Sequence, residues 1–266
     1  MNRKVFALLL VVAMTAGAFL AVQACKPGGG VMTPTAVSEI PKLKIATDAA
    51  YPPFEFVDTN TSEITGFDID LMKEIAKAGG FEVEFINTPW DGIFVGLDNN
   101  NYDAVISAVS ITDERKITYD FSDPYYSIFQ AMIVRKADAD KYKSLADLKG
   151  KNIGAQIGTT GAIFVGKDPN VKLVNYDDNG LAIEALLKGD VDAVVCDHPV
   201  AFDYALINPS YMDKLIVTNP KVTDTPEPYG ICIKKGNAKV VDLVNGGLKN
   251  LPADIIPTLE EKWKMK

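Results

Sequence analysis

Apolar positions between residues 42 and 263 switch repeatedly between strand-like and helix-like spacing. Residues 43–47 are predicted to form a short strand, and residues 81–86 alternate with a period of two, which is typical of β-strands. Between them the apolar positions recur at helical spacing, in a helix predicted to start near Asp68 as its N-cap and to stop at Gly79-Gly80. Strands that alternate with helices in this way predict an α/β sheet.

The same reading predicts the other elements. Further strands are expected over 104–109, 129–135, 152–156, 171–175, 192–196, 215–218 and 230–234. Further helices are expected over 91–97, from Thr112, over 145–150, after residue 161, and over 180–188, 199–206, 238–250 and 257–263.

These elements form two α/β units with two crossings between them, near 129–134 and 222–229. We therefore predict two Rossmann-like lobes with a cleft between them. Lobe 1 is assigned residues 42–128 plus 226–266, and lobe 2 is assigned residues 129–225.

The first 24 residues have the layout of a secretory signal. Two cations precede the apolar run 5–14, and Val22-Gln23-Ala24 precedes Cys25. The stretch resembles a bacterial lipobox, which implies a lipid on Cys25, although Gln23 departs from the small residue usual there. A plain secreted protein and an uncleaved membrane helix over 5–22 are the alternatives. We predict a signal peptide over 1–24 and a lipid-anchored flexible tether over 25–41.

Composition excludes some functions. The sequence has 35 acidic residues against 27 Lys and Arg, for a formal net charge of −8, so its surface repels a nucleic-acid backbone. The two other cysteines, Cys196 and Cys232, are predicted to be free, buried thiols in different lobes. There is no His/Cys cluster with metal spacing and no nucleophile motif, and His198 is the only histidine. We expect no metal, no cofactor and no catalytic residue.

Candidate binding residues follow the predicted strands, where open α/β sheets bind ligands. Arg115 suits a two-pronged grip on an α-carboxylate, and amides at the start of residues 158–161 form an anion site. Asp197 suits an α-ammonium, helped by the Ser110 hydroxyl, although it could also cap the helix predicted to follow. Asp48 is left to face the ligand's own side chain. The set predicts a site for a zwitterion.

Several motifs together carry a family resemblance. They are Ala46-Thr47-Asp48 with Tyr51-Pro52-Pro53-Phe54, Gly66-Phe67-Asp68-Ile69-Asp70-Leu71, Trp90-Asp91-Gly92-Ile93, Ser107-Ala108-Val109-Ser110-Ile111-Thr112-Asp113-Glu114-Arg115, Asp120-Phe121-Ser122-Asp123-Pro124-Tyr125, Gly158-Thr159-Thr160-Gly161 and Asp192-Ala193-Val194-Val195-Cys196-Asp197. With these motifs, residues 42–263 resemble the bacterial family 3 solute-binding proteins for polar amino acids. The resemblance implies the type II periplasmic-binding-protein fold, with two hinge strands.

The resemblance also implies roles for the candidate residues. The ligand's carboxylate would bind Arg115, Thr159 and Thr160, and its amine would bind Asp197 and the Ser107–Ala108–Ser110 segment. Its side chain would lie between Tyr51 and Trp90, and the tip of that side chain would contact Asp48 and Gln156. It implies a monomeric, exported receptor, periplasmic or on the cell surface, that closes like a hinge and docks on an ABC permease. The acids Asp68, Asp70 and Asp123 are assigned to caps and loops.

The sequence leaves open which class of amino acid is the ligand. A buried Asp48 carboxylate needs a donor, which favours a basic amino acid such as arginine or lysine, with histidine or glutamine as alternatives. Acidic ligands are disfavoured because two carboxylates would face each other. Three other functions remain as alternatives: a ligand-sensing domain, a dehydratase-like enzyme on the same scaffold, and a lipid-anchored structural protein.

Overall fold

The structure, a computed structural model, describes residues 40–265. Its strands are β1 (Lys42–Thr47), β2 (Ala50–Tyr51), β3 (Glu55–Val57), β4 (Ile64–Thr65), β5 (Glu82–Asn87), β6 (Ala104–Val105), β7 (Tyr119–Phe121), β8 (Tyr126–Ile128), β9 (Gln130–Arg135), β10 (Asn152–Gln156), β11 (Lys172–Tyr176), β12 (Ala193–Asp197), β13 (Leu215–Asn219), β14 (Glu227–Tyr229) and β15 (Cys232–Lys234).

The α-helices alternate with these strands, as the apolar spacing predicts. They are α1 (Phe67–Gly79), α2 (Trp90–Asp98), α3 (Asp113–Thr118), α4 (Thr160–Gly166), α5 (Asn179–Lys188), α6 (His198–Phe202), α7 (Ala238–Lys249) and α8 (Ile255–Lys262). Two predicted helices differ from expectation. The one predicted over 145–150 is a 3₁₀ turn, Leu145–Leu148, and α6 continues as a π-helical turn, Asp203–Ile207.

The first lobe is built around a five-stranded sheet with the order β5-β1-β6-β15-β7. β1 is parallel to β5 and β6, whereas β15 is antiparallel to β6 and β7. The apolar stripe of α1 packs on this sheet, with Leu71 and Ile75 fully buried in the same core as Ile45 of β1. Helix α7 also packs on α1, and its Val240 and Val244 belong to the same core, so a late segment of the chain completes the lobe.

The second lobe repeats this plan around the sheet β11-β10-β12-β9-β13. β10 is parallel to β11 and β12, and β9 is antiparallel to β12 and β13. Strands such as β12, with Ala193–Asp197 buried throughout, are covered on both faces. Both lobes therefore place the carboxyl ends of three parallel strands at one edge of a sheet.

The two lobes are connected by a pair of short strands. β8 pairs antiparallel with β14, in the register Glu227 with Ile128 and Tyr229 with Tyr126. β8 leads into β9 of the second sheet, and β14 leads back to β15 of the first. The prediction of an α/β protein with two lobes and two hinge strands is confirmed, while the exact lobe bounds stay a prediction.

Two local predictions about the first lobe were wrong, for a shared reason. Asp68 does not cap α1, whose N-cap is Gly66; its buried carboxylate instead accepts hydrogen bonds from the Ala108 N–H and the Tyr125 hydroxyl, both at 2.8 Å. The strand predicted over 104–109 pairs only at Ala104–Val105. Because Asp68 takes the Ala108 N–H, and Ala108 has a φ of 48°, the chain turns away from the sheet there.

Other predictions fall on cysteines and on the N-terminus. Cys196 of β12 and Cys232 of β15 are buried free thiols, as predicted. The predicted signal peptide, Cys25 and the tether up to residue 39 lie outside the described residues. Within residues 40–265, no helix has the length and apolar character needed to span a bilayer.

A matched pair of glycines in α7 tests the packing of α7 on α1. A Cβ built on Gly247 would lie 2.3 Å from the Ile75 carbonyl oxygen, whereas one built on Gly246 meets nothing within 4 Å. We expect Gly247→Ala to lower the free energy of unfolding by about 1–3 kcal/mol, because backbone must move. Gly246→Ala should raise it by about 0.5–1 kcal/mol, through helix propensity. Urea unfolding followed by circular dichroism measures both, and equal shifts would contradict this packing.

Candidate functional site

A cavity lies between the two lobes. It is lined by Asp48, Tyr51, Glu55, Trp90, Ser107, Ala108, Ser110, Arg115, Gln156, Thr159, Thr160 and Asp197. The structure thus brings all eleven candidate residues of the sequence to one cavity and adds Glu55. Their roles toward a ligand stay a prediction.

Strand ends position the carboxylates and the amide of this cavity. Asp48 follows β1 directly, Gln156 is the last residue of β10, and Asp197 is the last residue of β12. Each strand is a buried central or near-central member of its sheet, so its end faces the cleft and not an outer edge. The buried main chain of the strand fixes where each side chain begins.

Arg115 is held in α3 so that its guanidinium spans the cleft. Its backbone N–H donates to the Thr112 hydroxyl that caps α3, and its Nη1 donates to the Ser110 carbonyl at 2.9 Å. Its Nη2 donates to the Gly158 carbonyl of the second lobe at 3.2 Å. Burial lowers the pKa of Arg115, yet a guanidinium stays charged at neutral pH. Two of its five N–H groups are used, which leaves donors for a carboxylate.

Two aromatic rings support the guanidinium. Its central carbon lies 5.4 Å from the ring centroids of both Trp90 and Phe94, within cation–π range. The two rings meet edge to face at 5.1 Å. Trp90 is 8% exposed and lines the cavity. It is therefore placed to fix the orientation of Arg115 as well as to touch a ligand.

The start of α4 faces Arg115 from the second lobe. Thr159 is the N-cap: its hydroxyl donates to the Gln156 carbonyl at 2.7 Å and accepts from the Ala162 N–H at 3.2 Å. The N–H groups of the first helical residues have no partner within a helix. At Thr160 and Gly161 these groups point toward the start of the helix, where partial positive charge favours an anion.

Asp197 accepts three hydrogen bonds. Its Oδ2 accepts from the hydroxyls of Tyr51, at 2.6 Å, and Tyr229, and its Oδ1 accepts from the Gln130 side-chain amide at 2.6 Å. Burial raises the pKa of Asp197 to about 6, against the lowering effect of these hydrogen bonds. Asp197 is the N-cap residue of α6, as the alternative role predicts, but its side chain makes no capping hydrogen bond.

Asp48 and Gln156 meet across the cleft. The Gln156 Nε2 donates to Asp48 Oδ2 at 3.1 Å and also to the Asp177 carbonyl at 3.1 Å, while its Oε1 accepts from Asn179 at 3.4 Å. Burial raises the pKa of Asp48 to about 6, and the hydrogen bond from Gln156 opposes this shift. The side-chain amide of Gln156 is thus held in one orientation, with its N–H toward the carboxylate.

A third link joins Ser110 to the second lobe and to the hinge. Its hydroxyl donates to Glu227 of β14 at 3.1 Å and lies 3.4 Å from the Thr160 hydroxyl. Gln130 of β9 reaches the same Thr160 hydroxyl at 3.1 Å. Together with the bonds from Tyr51 to Asp197, from Gln156 to Asp48 and from Arg115 to Gly158, these contacts hold the lobes in a closed arrangement.

Sequence reasoning missed four residues of this network: Glu55, Gln130, Glu227 and Tyr229. Three of them carry a signal in the sequence. Gln130 is the one polar residue in the apolar run 130–134, and Glu227 stands between two prolines in the returning segment. Glu55 directly follows the Tyr51–Phe54 motif. A polar side chain in a segment that must be buried needs a specific partner, and that requirement marks it as functional or structural.

His198 serves the structure and not the cavity. Its Nδ1 accepts from the Phe129 N–H at 3.2 Å, and its ring packs edge-on against Phe129 and Phe202. Burial lowers its pKa. Among residues 40–265 no group of three or more His, Cys, Asp or Glu side chains is placed to hold a metal ion.

Over most of its length the chain is similar to bacterial amino acid-binding proteins. The probable histidine-binding protein of Neisseria gonorrhoeae is 38% identical over 237 residues, covering 87% of this chain and 86% of that protein. The ABC transporter arginine-binding protein 1 of Escherichia coli strain K12 is 37% identical over 228 residues, covering 84% and 90%. The solved structure of an ancestral arginine-binding protein bound to arginine matches with a TM-score of 0.77 at 41% identity, covering 84% and 97%.

Residues 43–266 match the family model for bacterial extracellular solute-binding proteins, family 3. This span contains both sheets, the hinge strands and every residue that lines the cavity. The chain belongs to the bacterial extracellular solute-binding proteins, family 3.

Proposed function

We propose that this protein is an exported, lipid-anchored receptor that binds one polar L-amino acid between its lobes and delivers it to an ABC importer. A basic amino acid, of the arginine or lysine type, is the preferred ligand, and glutamine is the alternative. The observation that carries the proposal is the charge arrangement of the cavity, where one guanidinium and two separate aspartates line the same space between the lobes.

The α-carboxylate is assigned to Arg115 and the start of α4. The guanidinium is fixed by two carbonyls and two rings, so little side-chain entropy is lost when it binds a carboxylate. The N–H groups at Thr160 and Gly161 approach from the opposite lobe. Donors from both lobes on one carboxylate would stabilise the closed form over the open one.

The α-ammonium is assigned to Asp197 together with the Ser107–Ser110 segment. Asp197 is buried and lies in the second lobe, whereas Ser107 and Ser110 belong to the first. An ammonium that donates to both lobes again favours closure. The hydroxyl donors now on Asp197 can share the carboxylate with a cation, because its two oxygens offer about four acceptor sites.

Asp48 is assigned to the tip of the ligand's side chain, and this sets the preference among amino acids. Its carboxylate receives one side-chain hydrogen bond, from Gln156, and no cation pairs with it among the described salt bridges. A guanidinium or ammonium tip would neutralise it. A glutamine amide would donate to it without neutralising it, and an acidic tip would repel it.

The relatives reported above support a basic amino acid as a ligand. One is named for arginine, one for histidine, and the ancestral protein was solved with arginine bound. The name of the Escherichia coli relative also includes its ABC transporter, which supports a permease partner. The relatives are named as binding proteins, which supports a receptor without catalysis. Cys25 and the preceding signal-like segment support export and lipid anchoring. The receptor is proposed to act as a monomer.

Calorimetry on ligand-stripped protein tests the proposal. L-arginine, L-lysine, L-histidine, L-glutamine and L-glutamate are titrated in turn at pH 7.5, and mass spectrometry identifies any ligand carried through purification. We expect a basic amino acid to bind most tightly and L-glutamate to bind at least about a hundredfold more weakly, which is close to 3 kcal/mol. Tightest binding of an acidic amino acid, or no binding of any amino acid, would overturn the proposal.

Removal of the guanidinium tests the carboxylate assignment. Arg115→Ala should weaken L-arginine binding by at least about a hundredfold, because a buried carboxylate then lacks its charged partner. Arg115→Lys should recover only part of this loss, since a lysine does not form the two-pronged pair. The control is Lys116→Ala in the same helix, where an exposed lysine 3.2 Å from Asp113 is removed. A drop of less than tenfold for Arg115→Ala would contradict the assignment.

The pH dependence of binding tests Asp48. Its pKa is raised to about 6, so the ligand-free protein gains a proton there as the pH falls through 6, and a cationic tip must displace that proton. Affinity for L-arginine should therefore fall by up to about tenfold per pH unit for each proton displaced. Asp197, also near 6, contributes for every amino acid, whereas Asp48 contributes for cationic tips.

The difference between two ligands isolates the Asp48 contribution. Between pH 7 and pH 5, the loss for L-arginine should be steeper than the loss for L-glutamine, and Asp48→Asn should bring the two slopes together. Calorimetry in buffers of different ionisation enthalpy also counts the protons. Equal slopes in the unmodified protein would show that Asp48 does not face the side-chain tip.

A further inference from the structure

Two buried carboxyl groups, Glu55 and Asp68, lie together behind the cavity. Glu55 belongs to β3 and Asp68 to the first turn of α1, and neither side chain is exposed at all. The two groups are within hydrogen-bonding reach of each other. Glu55 also lines the cavity, while Asp68 lies one layer deeper. Neither residue is assigned a direct contact with the ligand's charged groups.

One oxygen of each carboxyl group is well satisfied. Glu55 Oε1 accepts from the Ser107 hydroxyl at 2.9 Å. Asp68 Oδ2 accepts from the Ala108 N–H and from the Tyr125 hydroxyl, both at 2.8 Å. These three donors tie the pair to the segment that borders the cavity and to the loop that enters the hinge.

The other two oxygens, Glu55 Oε2 and Asp68 Oδ1, are buried and have no hydrogen-bond donor within the described part of the chain. Two adjacent carboxylates that both lack donors would repel each other at high cost in a buried site. A single proton between them removes both problems, because it turns one orphan oxygen into a donor and gives the other a partner.

The surrounding charges agree with a retained proton. Burial raises the pKa of both groups, and the charge of Asp68 raises that of Glu55 further. Asp48, in the turn after β1, acts on Glu55 in the same direction, and the neighbouring Tyr51 and Tyr125 hydroxyls are neutral at pH 7. Asp68 accepts two donated hydrogen bonds and Glu55 accepts one, so the proton belongs on Glu55.

We propose that Glu55 and Asp68 share one proton, carried by Glu55, and that this carboxyl pair positions Ser107 and Ala108 to accept the ligand's ammonium group. The second half of this inference rests on the proposed function. Ser107 has one hydroxyl proton and two lone pairs. Its proton goes to Glu55, and one lone pair accepts the Asp48 N–H at 2.9 Å. The remaining lone pair is an acceptor at the cavity wall.

The pair also holds the turn that shapes this wall. Ala108 has a φ of 48°, in the left-handed region that residues with a Cβ seldom adopt. The Asp68 carboxylate stabilises it by accepting the Ala108 N–H. Glu55 and Asp68 are thus positioning residues: they act on the ligand through Ser107 and Ala108.

A double-mutant cycle tests the shared proton in ligand-free protein. Glu55→Gln keeps a donor toward Asp68 and an acceptor toward Ser107. Asp68→Asn keeps an acceptor for Ala108 and Tyr125, and its side-chain amide then donates to Glu55. Each single change should alter the equilibrium constant of unfolding by less than about tenfold. Together they place two amide donors face to face, and the combined loss should exceed the product of the single effects by at least about tenfold.

Two ionised carboxylates would give a different result. If both groups were ionised, each single change would relieve repulsion and stabilise the protein, and the effects would not add to a loss. Infrared difference spectroscopy at pH 7 gives an independent readout. The spectrum of the unmodified protein should contain a protonated carboxyl C=O band that Glu55→Gln removes, and identical spectra in that region would overturn the shared proton.

Calorimetry with L-arginine and L-glutamine tests the positioning role. Glu55→Ala should weaken binding by at least about tenfold, and Glu55→Gln should recover most of that loss because it still orients Ser107. Binding by Glu55→Ala equal to the unmodified protein would overturn the positioning role. If the unmodified protein binds no amino acid, the proposed function fails while the unfolding cycle and the infrared band still decide the shared proton.

Discussion

The buried carboxylate of Asp197 is the interaction on which the closed arrangement depends. It sits at the end of a central strand of the second lobe and takes donors from three places: Tyr51 of the first lobe, Tyr229 of the hinge, and Gln130 of its own sheet. A buried carboxylate requires such donors. Without them, moving its charge out of water costs on the order of several kcal/mol, or the group becomes protonated. The need of one side chain for hydrogen bonds therefore connects both lobes and the hinge.

This constraint explains how one cavity can contain acidic groups with different tasks. Asp197 already accepts three neutral donors, Asp48 accepts one side-chain donor, and Glu55 lines the cavity while it bonds to Ser107 and Asp68. The environment of each group, and not its chemistry, decides which charge a ligand meets. Arg115 completes the balance because its rings and carbonyl partners hold a cation in a largely acidic surrounding.

The sequence was sufficient for the parts of the fold that follow from local pattern. Alternating strands and helices predicted the two α/β lobes, and the rule that ligands bind at strand ends selected Asp48, Gln156 and Asp197. What local pattern does not contain is contact between distant segments. Asp68 has the spacing of a helix cap, and only its contacts with Ala108 and Tyr125, 40 and 57 residues away, show that it is a buried acceptor. Gln130, Glu227 and Tyr229 were missed for the same reason, since they act at the hinge, where segments distant in the sequence meet.

The hydrogen bonds between the lobes occupy the same groups that are assigned to the ligand. In the closed arrangement Gln156 satisfies Asp48, Tyr51 satisfies Asp197, and Gly158 accepts from Arg115, so groups assigned to the ligand already have partners across the cleft. A ligand that replaces these bonds gains only the difference between its own contacts and theirs. Neutral partners such as a tyrosine hydroxyl or a glutamine amide are weaker for a carboxylate than a cation is. In the proposed function, the arrangement would therefore discriminate by charge: an ammonium or guanidinium group would improve on the bonds it displaces, whereas a neutral group would exchange them for similar ones.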